Sequence, residues 1–202
     1  MPGVADRFFS VPHQPFRRSA VFMDKEREVA LVRDCQQGDR RAMDSLVRQF
    51  EKPVFNTAYR MLGNADEASD VTQTAFLKVF ENIRRFDPDF RLFSWVYRIA
   101  VNEAINQLNR RKRFAPNGEL PCESEVPEDT VSTSELCSEV QAVLMELQPD
   151  HRAVIVLRYF TECSYGEIGK VLELPEKTVK SRLFTARQQM KERLLRHGIL
   201  SA

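Results

Sequence analysis

Between Lys177 and Arg193 the chain sets out cations and hydroxyls suited to gripping a polyanion: Lys177, Thr178, Lys180, Ser181, Arg182, Arg187, Lys191 and Arg193. Ammonium and guanidinium groups neutralise phosphates, and guanidinium and hydroxyl groups also reach base edges. A second cluster, RRFDPDFRLF from Arg84 to Phe93, alternates Phe86, Phe90 and Phe93 with Arg85 and Arg91. Trp95, Arg98, Asn102 and Asn106 follow it, and then four consecutive cations, Arg110 to Arg113. Unpaired bases stack on aromatic rings while cations track the backbone, so this composition suits single-stranded nucleic acid. The plain alternative is that the rings fill a core and the terminal cations complement a helix dipole.

Other chemistries find little support. Cys35, Cys122, Cys137 and Cys163 show no C-x-x-C spacing, and His13, His151 and His197 flank none of them in a ligand pattern, so no metal or other cofactor is expected. Asp66, Glu67 and Asp70 lack a second acidic or histidine cluster that would make a hydrolytic centre, and a polar helix exterior accounts for them. No catalytic residue is assigned. A cytoplasmic chain with reduced thiols is expected, without membrane insertion, since no run is long and apolar enough to span a bilayer.

The elements that position these groups are helical. Ser164 and Glu167 have capping-box spacing, so a short helix starts near Tyr165, with Ile168, Val171 and Leu172 on its apolar side. Pro175 suits the start of a new helix, which places a turn at Glu173 to Leu174. Beyond it Val179, Leu183, Ala186, Met190 and Leu194 make one apolar stripe, leaving the cations outside. A short helix, a tight turn and a longer basic helix form the helix-turn-helix pattern, whose second helix enters the major groove; an ordinary helical hairpin with a solvated face fits the same spacing.

Upstream, the periodicity predicts helices over about 24–36, 40–62 and 65–85, then one from about Ser94 to Arg113, and further helices over 135–147 and 149–160. Residues 115–134 contain Pro116, Gly118, Pro121 and Pro127 with Glu119, Glu123, Glu125, Glu128 and Asp129, and no Lys or Arg, which predicts an extended acidic linker. Residues 1–23 lack a sustained period and read as a tail; Met23, just before the first helix, is an alternative translation start. The expected fold class is all-α, two small helical domains (24–114 and 135–197) joined by the linker. The 30 basic and 29 acidic residues nearly cancel, so a nucleic-acid role rests on charge distribution rather than on the total.

Three stretches in this order, ADEASDVTQTAFLKVF, FRLFSWVYRIAVNEAINQLNRRKR and SYGEIGKVLELPEKTVKSRLFTAR, resemble the bacterial RNA polymerase sigma factors of the extracytoplasmic-function (ECF) group. The resemblance covers the chain from Asp24 to Arg196. It implies a non-enzymatic initiation factor with a sigma-2-like bundle and a sigma-4-like helix-turn-helix domain. Asp70, Gln73 and Phe76 would bind the β′ clamp helices of core RNA polymerase. Phe86, Arg91, Trp95, Arg98 and Asn102 would take the minus-10 element, with Phe86 and Asn102 receiving a flipped base. Lys177, Thr178, Lys180, Ser181, Arg182, Phe184 and Arg187 would meet the minus-35 element. The linker would thread toward the RNA exit channel, the second domain would dock on the β flap, and an anti-sigma factor would be a further partner. Thr185 stands where the family's reading helix frequently has Arg. An activator that recruits polymerase from outside would share the terminal helix-turn-helix, but would carry an α/β receiver or sensor domain before it.

Overall fold

The structure, a computed structural model, describes residues 23–114 and 135–200. The expected tail and the acidic linker lie outside these residues. Among them every regular element is a helix. They are α1 (Lys25–Gln36), α2 (Arg40–Leu62), α3 (Ala65–Asn82) with a 3-10 turn over Ile83–Arg85, and α4 (Leu92–Phe114). After the linker come α5 (Glu135–Met145), α6 (Pro149–Ile155) continued by a π-helical turn over Val156–Phe160, α7 (Tyr165–Leu172) and α8 (Glu176–Arg196).

Short polar side chains start α1, α2, α3 and α7 because the first amides of a helix have no internal acceptor. Asp24 accepts from the Arg27 amide, Asp39 from that of Arg41 and Asn64 from that of Glu67. Ser164 and Glu167 complete the capping box in both directions. Gly63 ends α2 at φ +69°, where a side chain is strained, and a Cβ there would lie 2.6 Å from Met145 Sδ.

Apolar residues at helical spacing form the core. Leu46, Phe50, Val54, Ala58 and Leu62 of α2, Ala68, Val71, Ala75 and Val79 of α3, and Val96, Ala100, Ala104 and Leu108 of α4 close one core. Val179, Leu183, Ala186, Met190 and Leu194 of α8 are all buried against α5 to α7.

Periodicity did not foretell that the two halves share one continuous core. Arg152 of α6 is the joint. Its guanidinium donates to the Leu144 (2.8 Å), Met145 (2.6 Å) and Leu147 (3.0 Å) carbonyls at the end of α5 and, across the boundary, to the Met61 carbonyl of α2. Burial, with the nearby Arg111 charge, pulls its pKa down to about 10, so it stays cationic at neutral pH and satisfies carbonyls that would otherwise be orphaned. Beside it Gln141 exchanges hydrogen bonds with the Arg60 side chain (3.1 Å) and the Tyr59 carbonyl (3.3 Å), and Arg60 lies 4.7 Å over the Phe160 ring.

Candidate nucleic-acid interface

The basic helix α8 presents its predicted outer face to solvent. Lys177, Thr178, Lys180, Ser181 and Phe184 are exposed, Phe184 by 65%. Such a large exposed ring beside two lysines is not explained by packing. Lys180 pairs with Glu176 at 2.7 Å, and that hydrogen bond raises its pKa, so it is a cation throughout the physiological range. Arg182 and Arg187 sit differently, on the half-buried flanks. Arg182 pairs with Asp150 of α6 at 3.3 Å, which ties the reading helix to the helix beneath it. Gly169 sets how closely α7 and the turn approach: a Cβ there would lie 2.7 Å from the Leu174 carbonyl oxygen. The turn itself passes through Glu173 at φ 54°.

The aromatic-basic segment between α3 and α4 folds into a loop beside a cavity of about 520 Å³. Its rings divide into two roles that the sequence did not separate. Phe86 is 8% exposed and packs on Trp95, ring centroids 4.7 Å apart, while Phe93 is buried against Tyr97 at 4.3 Å. Phe90 stands 61% exposed at the tip. Phe86 thus lines the cavity from a packed position, while Phe90 with the half-buried Trp95 offers the open aromatic surface. Arg85, Arg91 and Arg98 line the same cavity, whereas Asn102, exposed one turn beyond Arg98 on α4, is not among its lining residues. Of the terminal cations, Arg111 is not a free charge, since it donates to Glu67 at 2.7 Å and to the Leu62 carbonyl at 3.1 Å.

The cavity's opposite wall is α7. Gly169, Lys170 and Glu173 complete it, and Glu173 reaches the Arg98 guanidinium at 2.9 Å. The two modules thus meet across the domain boundary at this cavity.

On α3, Asp70 and Gln73 are exposed, as predicted for a docking face, but Phe76 is not: it is 7% exposed and packs beside Phe80 at 6.3 Å. The exposed apolar group is Leu77, at 63%, which shares a helix face with Asp70 and Gln73 through the i, i+3, i+7 spacing. An exposed leucine next to a buried phenylalanine is the signal that would have separated them, and only the register of the buried stripe supplies it.

Among the described residues no group of three or more His, Cys, Asp or Glu converges on a point that could hold a metal ion, and no helix is long and apolar enough to cross a membrane.

An all-helical chain carrying a helix-turn-helix with an exposed basic and hydroxyl face, together with a separate aromatic-arginine cavity, is of a class that handles both duplex and unpaired DNA. Comparison with known proteins narrows the class. Residues 46–114 match the family Sigma-70 region 2, and residues 137–190 match Sigma-70 region 4. Helix α1 precedes both. The ECF RNA polymerase sigma factor SigW of Bacillus subtilis is 31% identical over 176 residues, covering 81% of this chain and 94% of SigW. Among solved structures, CnrH, in complex with the cytosolic domain of CnrY, is 26% identical with a TM-score of 0.64, covering 85% of this chain and 97% of CnrH. The sigma factor RpoE of Bartonella quintana, in complex with the anti-sigma factor NepR, shares the fold with a TM-score of 0.62 at 22% identity, covering 75% of this chain and 95% of that one. The chain belongs to the ECF sigma factors of the sigma-70 family, and it directs promoter-specific transcription initiation as an alternative sigma factor of RNA polymerase.

Proposed function

We propose that three surfaces divide this work. The exposed face of α8, from Lys177 through Lys180 and Ser181 to Phe184, meets the minus-35 duplex, with Arg182 and Arg187 contacting phosphates from its flanks. The Phe90 loop, with Trp95, Arg91, Arg98 and Asn102, takes an extruded base of the minus-10 strand. Unstacking a base costs a few kcal/mol, and stacking on an aromatic side chain returns about 1 to 3 kcal/mol per base. Asp70, Gln73 and Leu77 dock on the β′ clamp helices, and the C-terminal module docks on the β flap. The chemistry belongs to the polymerase, so the chain has no catalytic activity of its own, and it acts in the cytoplasm. An anti-sigma factor is a further partner in this reading, in keeping with the complex of RpoE with the anti-sigma factor NepR.

The observation that carries this reading is the pairing of an open ring, Phe90, with the arginine-lined cavity beside it. The two modules act apart from one another. Elements centred near positions minus-35 and minus-10 lie roughly 25 base pairs, or about 85 Å, apart at about 3.4 Å per pair, whereas a compact body of this size is about 40 Å across. The joint at Arg152 and the Arg98–Glu173 pair must therefore part on the polymerase, and the linker supplies the reach.

The test is run-off transcription by core polymerase plus the full chain on a library of genomic fragments. Specific start sites that depend on this chain and share two spaced elements are expected. Absence of a complex with core polymerase would overturn the reading.

A further inference from the structure

We propose that α1, which precedes both matched regions, is a positioning element for the minus-10 loop, and that Glu28, Lys25 and Gln36 set which base the loop accepts. The inference rests on the reading of that loop given above.

The loop from Phe86 to Arg91 has little regular structure of its own. Within it are the Asp87 turn, in which the Phe90 amide donates to the Asp87 carbonyl at 3.1 Å, and the Asp87 carboxylate accepting from the Asp89 amide at 3.0 Å. Besides the packing of Phe86 on Trp95 and the Arg91 guanidinium donating to the Met23 carbonyl at 3.3 Å, entry, tip and exit are each tied to α1, more than forty residues away in sequence. Gln36 uses one side-chain amide to donate to two carbonyls at the loop's entry, Ile83 (3.0 Å) and Phe86 (2.8 Å). Lys25 donates to the Pro88 carbonyl and, at 2.9 Å, to the Phe90 carbonyl at its tip. At its exit Glu28, 3% exposed, accepts from the Leu92 amide at 2.9 Å and so caps the start of α4. The other Glu28 oxygen pairs with Arg91 Nε at 3.4 Å, and Lys25 stands 3.7 Å from the carboxylate.

A carboxylate this deeply buried costs free energy unless it is fully paired. Here each of its oxygens is committed to one side of the loop's exit. Entry, tip and exit are therefore all fixed from one helix, and the backbone on which Phe90 and Arg91 are mounted follows the position of α1. Selection among bases depends on placing such groups within fractions of an ångström. Residues that never touch the DNA thereby tune its reading.

The test uses the full chain with core polymerase on a promoter recovered as above, with each of the four bases placed in turn at every minus-10 position. A wrong base costs a sequence-reading protein roughly 5- to 150-fold. In Glu28→Gln the amide oxygen still accepts from Leu92, but an NH2 group now faces Arg91. The expected result is that discrimination at one or more positions collapses to within about threefold while core affinity is unchanged. An equal fall on all four bases would mark Glu28 as merely structural and overturn the inference, as would an unaltered profile. Lys25→Met, at a side chain 41% exposed that the fold tolerates, and Gln36→Leu decide the matter if Glu28→Gln does not fold. Phe90→Ala is the control: if it changes base preference and the α1 variants do not, only the inference fails, and if none changes it, the reading of the loop fails first.

Discussion

The Glu173 carboxylate, in the turn of the helix-turn-helix, lies 2.9 Å from the Arg98 guanidinium on α4, the helix that follows the Phe90 loop. One ion pair thus joins the two DNA-handling modules and lays α7 over the cavity that a minus-10 base would enter. Both side chains are substantially exposed, so the pair contributes at most about 1 kcal/mol. It is a weak clasp beside the buried joint at Arg152.

Glu173→Gly removes the clasp and at the same time relieves a non-glycine residue held at φ 54°. Relief of that backbone strain and loss of up to about 1 kcal/mol of ion pair oppose one another, so Tm should change little. The free chain should bind a single-stranded oligonucleotide carrying the minus-10 sequence up to about fivefold more tightly, that being about 1 kcal/mol of lost ion pair. Fluorescence anisotropy checks the affinity and calorimetry the Tm. Unchanged affinity would mean that α7 does not restrict the cavity.

Phe90→Ala and Phe86→Ala should part company. Phe90 is exposed, so its loss should leave stability within about 0.5 kcal/mol while open-complex formation falls by roughly 5- to 150-fold, the loss of about 1 to 3 kcal/mol of stacking. Phe86 is packed on Trp95 in the core, and its truncation should cost about 3–5 kcal/mol of stability. Permanganate reactivity of the promoter, set beside thermal melts, separates the two; a stable Phe90→Ala protein that opens DNA normally would remove Phe90 from the site.

That pair of phenylalanines also marks how far the sequence could be read. Helix positions, the capping box at Ser164 and the buried stripe of α8 follow from spacing, because a 3.6-residue period leaves one consistent inward face. Phe86, Phe90 and Phe93 lie where no period operates, and three rings four and three residues apart look alike until α1 and Trp95 fix which of them is covered. Phe76 and Leu77 fail for a related reason: both flank the stripe of Val71, Ala75 and Val79, and the neighbouring Phe80 helps decide which side is inside. The contact between the halves was invisible because Arg152 reads as a surface cation, and its four carbonyl acceptors come from two separate segments of chain, with Met61 lying ninety-one residues away.

Leu77→Asp should leave the fold intact, since the side chain is 63% exposed. Association with core polymerase should weaken by roughly tenfold or more, as expected when a charge replaces an apolar group at the centre of a docking face. Phe76→Ala should instead lower Tm, with core affinity falling only as the folded fraction does. Surface plasmon resonance on immobilised core enzyme makes the comparison. Equal core affinity for Leu77→Asp and the parent chain would move the clamp contact off this face of α3.

Alkaline pH should expose the buried thiol of Cys35. Burial, reinforced by the Asp34 and Asp39 carboxylates, raises its pKa from 9.0 to about 11. The sign follows from proton uptake: between these values the unfolded chain has lost the proton that the folded chain keeps, so stability falls as pH rises. The contribution is fully present below about pH 9 and gone above about pH 11. Two pKa units correspond to about 2.7 kcal/mol at most. Cys35→Ala should lower stability at pH 7 through the small void it leaves, yet flatten the decline between about pH 9 and about pH 11. Urea melts of both proteins across that window measure the difference in slope. Parallel declines would assign the alkaline loss to the buried phenol of Tyr97, whose pKa burial also raises, so that it too favours the unfolded chain as pH climbs past the usual phenol value.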